Sequence, residues 1–319
     1  MKICVTARDF STGDDSAVRL LREAGHEVVD LSACDMGSAT SPQQVWEAVG
    51  DAQIAITGME PYNEAVFAHC PHLQMISRRG IGYDSVDLEA CRRRGITLAR
   101  TVGAVEGSVA EHVLACILYF ARRLDLQNAS MHRGEWRRVM TPGAKTRKLG
   151  LVGFGGIGRE IALRARTLGM ELFYYCRHPK EEWEAAYGAA YLELDELLAT
   201  CDYVSVNVPL DDSTRGMFGA GRLARMKKGG ILINIARGPV VDAHALRAAL
   251  DSGHLAGAAV DVFDREPCTD SPLIGCPNAL LTPHTATYTS ENFNTMNDIA
   301  ARSVLEYLAG TLEEKYIVR

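Results

Sequence analysis

This 319-residue sequence contains no cysteines or histidines at the spacing that is typical of a zinc site. Its nine cysteines include no Cys-x-x-Cys pair and no histidine cluster stands beside them, so no metal site is expected. No run of like charge is long enough to form an interaction tail, and the formal net charge is −6. Because such a chain has no basic footprint, we expect no nucleic-acid partner.

Long apolar segments are missing as well. The longest, residues 113–121, is far shorter than the about 20 residues that a membrane-spanning helix requires. Polar residues appear too early in the first segment, 1–6, for it to form the apolar core of a signal peptide. The odd number of scattered cysteines is typical of a reducing compartment. The sequence therefore predicts a cytoplasmic protein that does not associate with membranes.

Short β-like runs alternate with helical patterns along the whole chain, without repeats, low-complexity tracts or a flexible linker. The runs that we interpret as strands are 3–6, 27–31, 54–57, 73–77, 96–99, 148–152, 171–176, 203–208, 230–235, 256–262 and 279–282. Such alternation predicts an α/β protein in which helices cover parallel sheets.

A glycine pattern stands at the middle of the chain. The apolar run 148–152 leads directly into G-x-G-x-x-G and then into a helical pattern. In this context Gly153 permits a tight turn, Gly155 leaves room for a pyrophosphate, and Gly158 lets the helix pack close to the strand. The helix N-terminus then presents backbone N–H groups to the diphosphate. The pattern therefore predicts a dinucleotide-binding turn.

Two crossing segments, near residues 99–103 and 284–290, are expected to divide the chain into domains. A long helical pattern from Glu106 to about Arg133 leads toward the glycine pattern, and a last helical pattern, 292–308, follows the last strand and is interpreted as returning to the first domain. The predicted fold is two Rossmann-like, doubly wound parallel-sheet domains. The dinucleotide-binding domain, 101–287, is inserted in a substrate domain formed by 1–100 and 288–319.

The residues after the second strand of the predicted dinucleotide domain indicate the cofactor. An acidic residue there binds the adenosine ribose of NAD, whereas a nearby arginine accommodates the 2′-phosphate of NADP. Here Arg177 and His178 follow the strand, while Glu171 and Glu181 stand at the wrong places for the ribose. We therefore favour NADP over NAD. An Arg177 that stacks on the adenine, or is simply solvated, would leave the choice open.

Three polar residues follow later strands of the same domain, where parallel strands present their carboxyl ends to a cofactor. His284 is a suitable proton donor for the reduction of a ketone. Glu266 would orient the imidazole and stabilise its charged form, and Arg237 would hold the carboxylate of a 2-oxo acid through two N–H groups. His112, on the long helical pattern, is interpreted as a packed or capping residue.

Several segments together resemble the D-isomer-specific 2-hydroxyacid dehydrogenase family, over nearly the whole chain. The segments are RRGIGYDSVD at 78–87, SVAEH at 108–112, the glycine pattern at 153–158, NIARG at 234–238, DVF at 261–263 with EP at 266–267, and TPH at 282–284. The resemblance implies that Arg237, Glu266 and His284 are the catalytic residues. It also implies a homodimer formed through the cofactor domain and its long helix.

The resemblance extends to cofactor and substrate contacts. It places Asp261 near the nicotinamide carboxamide and the substrate carboxylate at the backbone around Arg78, Arg79, Gly80 and Ile81. The expected cofactor contacts are Gly153, Gly155, Gly156, Ile157, Gly158, Arg177, His178, Asn207, Pro209, Ile235, Ala236 and Asp261.

Departures from the family leave the substrate open. Residues 285–288 replace the small residues that commonly follow the catalytic histidine. The segment 78–90 is similar to phosphoglycerate dehydrogenases, and Arg78 or Arg79 would suit a phosphate or a second carboxylate. Candidate substrates are glyoxylate, hydroxypyruvate and a phosphorylated hydroxy acid. The alternatives are a dinucleotide-sensing scaffold or corepressor of the same fold, and a formate or phosphonate-type oxidation.

Overall fold

The chain forms two compact units in a computed structural model that describes all residues from 1 to 319. Unit 1 comprises Met1–Val105 and Thr287–Arg319, and unit 2 comprises Glu106–Ala286. The first crossing lies later than residue 100, where the sequence placed it. Thr101 still belongs to unit 1, because its N–H donates to the Gly80 carbonyl and its hydroxyl accepts from the Gly80 N–H.

Unit 1 contains a five-stranded parallel sheet. Its strands are β1 (Lys2–Val5), β2 (Glu27–Asp30), β3 (Ile54–Thr57), β4 (Met75–Arg78) and β5 (Thr97–Arg100), in the order β2-β1-β3-β4-β5. The first four helices are α1 (Ser16–Glu23), α2 (Pro42–Val49), α3 (Glu64–His69) and α4 (Leu88–Arg94). All five strands expected from the sequence are present, with ends that differ by up to two residues.

Both faces of this sheet are buried, and alternate strand residues supply the two cores. Ile3 and Ile54 pack in one core, whereas Cys4 and Ala55 pack in the other with the α2, α3 and α4 side chains. Because side chains of a strand alternate between faces, a continuous apolar run is what a strand covered on both sides requires.

Unit 2 contains a seven-stranded parallel sheet between two helical layers. Its helices are α5 (Glu106–Arg122), α6 (Leu124–His132), α7 (Gly156–Thr167), α8 (Glu181–Tyr187), α9 (Leu194–Thr200), α10 (Ala220–Leu223) and α11 (Ala243–Asp251). Its strands are β6 (Lys148–Val152), β7 (Glu171–Tyr175), β8 (Ala189–Tyr191), β9 (Tyr203–Val206), β10 (Ile231–Asn234), β11 (Gly257–Val260) and β12 (Ala279–Leu281). The order is β12-β11-β10-β9-β6-β7-β8. The strand order thus reverses between β6 and β9: the strands after β6 are added on one side, and those from β9 onward on the other. Doubly wound folds bind ligands at such a point.

Two details of unit 2 differ from the sequence-based expectation. The three-residue edge strand β8 was not predicted, because so short a run carries little periodicity. The expected helix over 106–133 is two helices, interrupted at Arg123, which adopts a left-handed conformation with φ +46° and pairs with Asp125 at 3.1 Å. An amphipathic pattern continues across such a break and does not reveal it.

The last helix, α12 (Ser290–Ala309), belongs to unit 1 and packs against α1, β3, β4 and β5. Its buried residues Ala300, Ala301 and Val304 are mostly small, which lets the helix approach the sheet closely. The Ser77 hydroxyl of β4 donates to the Ala300 carbonyl at 3.0 Å. The observed α/β architecture confirms the predicted fold class. None of the helices combines the length and the apolar character needed to cross a bilayer.

The loops after β10 and β11 touch through a glycine. A Cβ built on Gly238 would lie 2.0 Å from the main-chain carbon of Phe263 and 2.3 Å from the Asp264 nitrogen. No side chain fits at that separation, so the two loops keep this contact only while residue 238 is glycine.

We expect Gly238→Ala to destabilise unit 2 by about 1–3 kcal/mol, because the added methyl group must displace main-chain atoms. Urea-induced unfolding measures the difference. Gly221→Ala is the matched control, since a Cβ on that α10 glycine contacts nothing within 4 Å. Equal stabilities of the two variants would contradict the packing argument.

Candidate active site

Gly153, Gly155 and Gly158, where β6 leads into α7, have three different roles. Gly153 has φ +98°, and a Cβ there would lie 2.8 Å from the Asn207 main-chain carbon. At Gly158 a Cβ would lie 2.3 Å from the Gly153 carbonyl oxygen, so helix and strand are in close contact. At Gly155 a Cβ would meet nothing within 4 Å. This open side at the N-terminus of a 12-residue helix fits the pyrophosphate of a dinucleotide.

The other expected cofactor contacts in unit 2 lie at the same carboxyl edge of the sheet. Gly156 and Ile157 form the first turn of α7. Asn207 and Pro209 follow β9, and Ile235 and Ala236 follow β10. The Asn207 side chain is bonded to its own strand, because its amide nitrogen donates to the Ser205 carbonyl and its amide oxygen accepts from the Ser205 hydroxyl.

Arg177 follows β7 and has a carboxylate neighbour that the sequence argument did not identify. Its Nη1 lies 3.8 Å from an oxygen of Asp211, a residue in the loop after β9. The hydrogen bond from the Ser213 hydroxyl lowers the pKa of Asp211 despite the opposing effect of burial, and the Arg177 charge acts in the same direction. His178, next to Arg177, is exposed. An ionised Asp211 therefore lies beside the predicted phosphate-binding arginine.

Arg237 follows β10 in a turn that Asn234 holds. The buried Asn234 amide donates to the Arg237 carbonyl at 3.1 Å and accepts from the Ala236 N–H at 3.1 Å. Arg237 itself donates to the Ala236 carbonyl at 2.8 Å. The NIARG segment thus contains a positioning residue, Asn234, for which the sequence analysis assigned no separate role.

Glu266 and His284 are joined directly, as their strand-end positions predicted. Glu266 Oε2 lies 2.7 Å from His284 Nδ1, and Glu266 Oε1 accepts the Phe263 N–H at 2.9 Å. Both side chains are partly buried. Each carboxylate oxygen therefore has its own partner, which fixes the plane of the carboxylate and hence the orientation of the imidazole.

The charge of Glu266 follows from this geometry. Burial alone would raise its pKa, but the His284 hydrogen bond and charge, with smaller effects of Phe263 N–H and Arg237, place the pKa below its ordinary value. Glu266 is therefore ionised at neutral pH. An ionised carboxylate accepts the Nδ1 proton of the imidazole and leaves Nε2 for a reacting oxygen.

The turn that carries His284 is built on Asp261. This carboxylate is 2% exposed and accepts from the Thr282 hydroxyl at 2.6 Å, the Thr285 N–H at 2.8 Å and the Ala286 N–H at 3.0 Å. Its carbonyl accepts the His284 N–H at 2.7 Å. His284 has φ +53°, a conformation that costs energy for a residue with a Cβ. Asp261, expected near the nicotinamide, is thus bonded within unit 2 to the histidine turn.

His112 on α5 lies beside this turn. Its Nε2 is 3.4 Å from the Thr282 hydroxyl oxygen and 4.0 Å from an Asp261 carboxylate oxygen. It is half-buried, which agrees with its interpretation as a packed residue. The residues that build the His284 turn, Thr282 and Thr285, were missed as functional residues because only the folded chain brings them to Asp261.

In unit 1, two backbone N–H groups of the expected carboxylate site already donate within the protein. The Arg79 N–H donates to the Thr57 carbonyl and the Gly80 N–H to the Thr101 hydroxyl, each at 2.9 Å. Those two donors are already used, so the remaining backbone donors of this loop begin at Ile81. The Arg78 side chain folds over Gly80 and donates to the Arg79 carbonyl.

Comparisons with known proteins identify the relatives of this chain. The family described as D-isomer specific 2-hydroxyacid dehydrogenase, NAD binding domain, matches residues 114–286. Glyoxylate reductase of Thermococcus litoralis is 36% identical over 259 residues, 78% of each chain. Glyoxylate/hydroxypyruvate reductase B of Salmonella newport is 36% identical over 278 residues, 85% of this chain and 86% of the relative.

A solved structure of a Thermus thermophilus protein superposes with a TM-score of 0.87 at 34% identity, covering 100% of both chains. These comparisons confirm the predicted reaction class, the interconversion of a 2-oxo acid and a 2-hydroxy acid, and show an NAD(P)-binding domain. The chain therefore belongs to the D-isomer specific 2-hydroxyacid dehydrogenase family.

Proposed function

We propose that the protein reduces a small 2-oxo acid to its D-2-hydroxy acid, with Arg237, Glu266 and His284 as the catalytic residues. The observation that carries this proposal is the 2.7 Å contact between Glu266 and His284. The relatives named as glyoxylate and hydroxypyruvate reductases support glyoxylate and hydroxypyruvate as candidate substrates.

In this mechanism a reduced nicotinamide supplies the hydride that the carbonyl carbon receives. His284 Nε2 donates a proton to the carbonyl oxygen, on which negative charge develops. Glu266 stabilises the imidazolium before that transfer and fixes the ring orientation. Arg237 binds the substrate carboxylate with its planar fork and polarises the adjacent carbonyl.

We expect His284→Ala to lower kcat by about 100- to 10,000-fold, because the proton donor is lost while cofactor binding persists. Steady-state oxidation of NADPH and NADH with glyoxylate and hydroxypyruvate measures the rate, and fluorescence titration measures cofactor binding. The control is His244→Ala at the exposed start of α11. Near-normal turnover in His284→Ala would refute the assignment, and no turnover of any 2-oxo acid by the unmodified protein would favour the scaffold alternative.

For the cofactor we propose NADP rather than NAD. Arg177 is 67% exposed at the end of β7, where a guanidinium can meet a 2′-phosphate. Asp211 lies 3.8 Å away and can orient that guanidinium. The negative charge of Asp211 opposes a phosphate, so the proposal requires the charge of Arg177 to outweigh it at the adenosine end.

We expect Arg177→Ala to reduce kcat/KM for NADPH relative to NADH by about 10-fold or more, because a charge-assisted contact to the phosphate is lost. The ratio of kcat/KM values for the two cofactors measures this preference. Lys228→Ala removes an exposed cation elsewhere in unit 2 and is the control. An unchanged ratio in Arg177→Ala would remove Arg177 from cofactor selection.

We further propose a homodimer in the cytoplasm. Unit 2 exposes large apolar side chains on and after α6: Leu124 at 53%, Met131 at 54%, Trp136 at 78% and Met140 at 98%. An apolar group of this size is typical of a protein interface, and a second copy of this chain is the partner that the family supports. All nine cysteines are free thiols, which suits a reducing compartment.

Light scattering is expected to give twice the chain mass of 34.8 kDa for the unmodified protein. The double variant Trp136→Glu with Met140→Glu should give the single-chain mass, because burying two carboxylates in an apolar interface is costly. Ile274→Glu, at an exposed apolar residue elsewhere in unit 2, serves as the control. A single-chain mass for the unmodified protein would contradict the dimer proposal.

A further inference from the structure

His112, on α5, contacts the turn that carries His284. Its Nε2 lies 3.4 Å from the Thr282 hydroxyl oxygen and 4.0 Å from Asp261 Oδ1. The side chains of His112 and Asp261 are 19% and 1% exposed. A half-buried imidazole and a buried carboxylate therefore meet at one hydroxyl group, and all of these residues belong to unit 2.

The packing of α5 along β11 brings His112 to this turn. A Cβ on Gly257, at the start of β11, would lie 2.5 Å from the Phe120 ring, so the helix and the strand are in close contact there. His112 precedes Phe120 by eight residues, about 12 Å of helix. Asp261 follows Gly257 by four residues, about 13 Å of strand. Because the two lengths agree, the helix runs antiparallel to the strand and places His112 beside Asp261.

A second residue of α5 is also affected by Asp261. Cys116 is four residues after His112 and therefore lies on the same face of the helix. Burial raises the pKa of its thiol to about 12, and the negative charge of Asp261 acts in the same direction. The face of α5 that carries both residues is thus directed at the Asp261 carboxylate.

The short bond from Thr282 to Asp261 sets the direction of the neighbouring hydrogen bond. The Thr282 hydroxyl lies 2.6 Å from Asp261 Oδ1 and donates its only hydrogen to this carboxylate, which can only accept. The Thr282 oxygen is then an acceptor toward His112, so His112 Nε2 carries a hydrogen and donates it. His112 therefore stabilises the orientation in which Thr282 donates to Asp261.

We propose that His112 is a positioning residue for the proton donor His284. Its Nε2–H holds the Thr282 hydroxyl against Asp261, and Asp261 in turn holds the backbone of residues 282–286. Because the left-handed backbone of His284 costs energy, each bond that restrains this turn increases the fraction of molecules in which the imidazole is correctly oriented. This inference rests on the proposed function.

The test compares His112→Phe, which keeps a ring but cannot donate, with His112→Gln, whose amide nitrogen can donate from a position close to that of Nε2. The measured quantity is the single-turnover rate of cofactor oxidation with the 2-oxo acid that the unmodified protein reduces fastest. We expect His112→Phe to lower this rate about 5- to 10-fold, the effect of one lost hydrogen bond. His112→Gln should recover most of the rate, and cofactor affinity by fluorescence titration should stay the same in both variants.

A double variant separates hydrogen bonding from packing. Thr282→Val nearly keeps the shape of the side chain but removes the hydroxyl, so it should lower the single-turnover rate by about 10-fold or more. Since His112 acts through that hydroxyl, adding His112→Phe to Thr282→Val should change the rate by less than about 2-fold. Effects that simply multiply would mean that His112 acts by packing alone, and they would overturn the inference.

The control variant is His254→Phe. This histidine precedes β11 at the amino edge of the sheet, and its buried Nε2 has no hydrogen-bond partner, so the single-turnover rate should stay unchanged. Amide hydrogen exchange gives a second readout that needs no substrate. The N–H groups of Thr285 and Ala286, which donate to Asp261, should exchange faster in His112→Phe than in His254→Phe. Equal exchange in the two variants would contradict the positioning role.

The outcomes distinguish this inference from the proposed function. An unchanged single-turnover rate in His112→Phe, or an equal loss in His112→Gln, overturns the inference and leaves the proposed function intact. Turnover of no 2-oxo acid overturns both. A loss in His112→Phe that is recovered in His112→Gln, and that disappears in the Thr282→Val background, supports the inference.

Discussion

The proposed pair of Glu266 and His284 depends on the hydrogen bonds to the buried carboxylate of Asp261. Three donors from residues 282–286 converge on it, and its own carbonyl receives the His284 N–H. These bonds compensate for desolvation of the carboxylate and hold His284 in a left-handed conformation that it would not adopt alone. In that conformation its imidazole meets Glu266 at 2.7 Å. The contact between Glu266 and His284 therefore depends on the turn formed by residues 282–286.

The parallel sheet of unit 2 brings the remaining groups to the same edge. The residues after β6, β9, β10 and β11 all leave the sheet at its carboxyl side, because every neighbouring pair is parallel. Close main-chain approaches at Gly153 and Gly238 then fix neighbouring loops against each other. A contact between main chains leaves little freedom for adjustment, so Arg237 and Glu266 are positioned by backbone as much as by their own side chains.

Unit 1 separates two arginines that are adjacent in the chain. Arg78 is the last residue of β4 and Arg79 is the next residue, and their side chains take different directions. Arg78 donates to the carbonyl of its neighbour Arg79, whereas Arg79 reaches α12 and the loop after β1. In the same unit, the hydroxyl of Tyr288, one of the residues that depart from the family, donates to Asp9 Oδ2 at 2.6 Å. The two neighbouring arginines thus have separate partners within unit 1.

Local patterns in the sequence were enough to predict the two α/β sheets, the glycine turn and the three catalytic candidates. Apolar runs and glycine spacing are properties of neighbouring residues, and the carboxyl edge of a parallel sheet follows from the order of the elements. The edge strand β8 and the break at Arg123 left no such local pattern. The tertiary structure alone decided that Asp211 lies beside Arg177, that Asp261 holds the His284 turn and that Arg79 lies on Phe293. Those contacts join residues distant in the chain, and their geometry arises only when the helices and sheets pack.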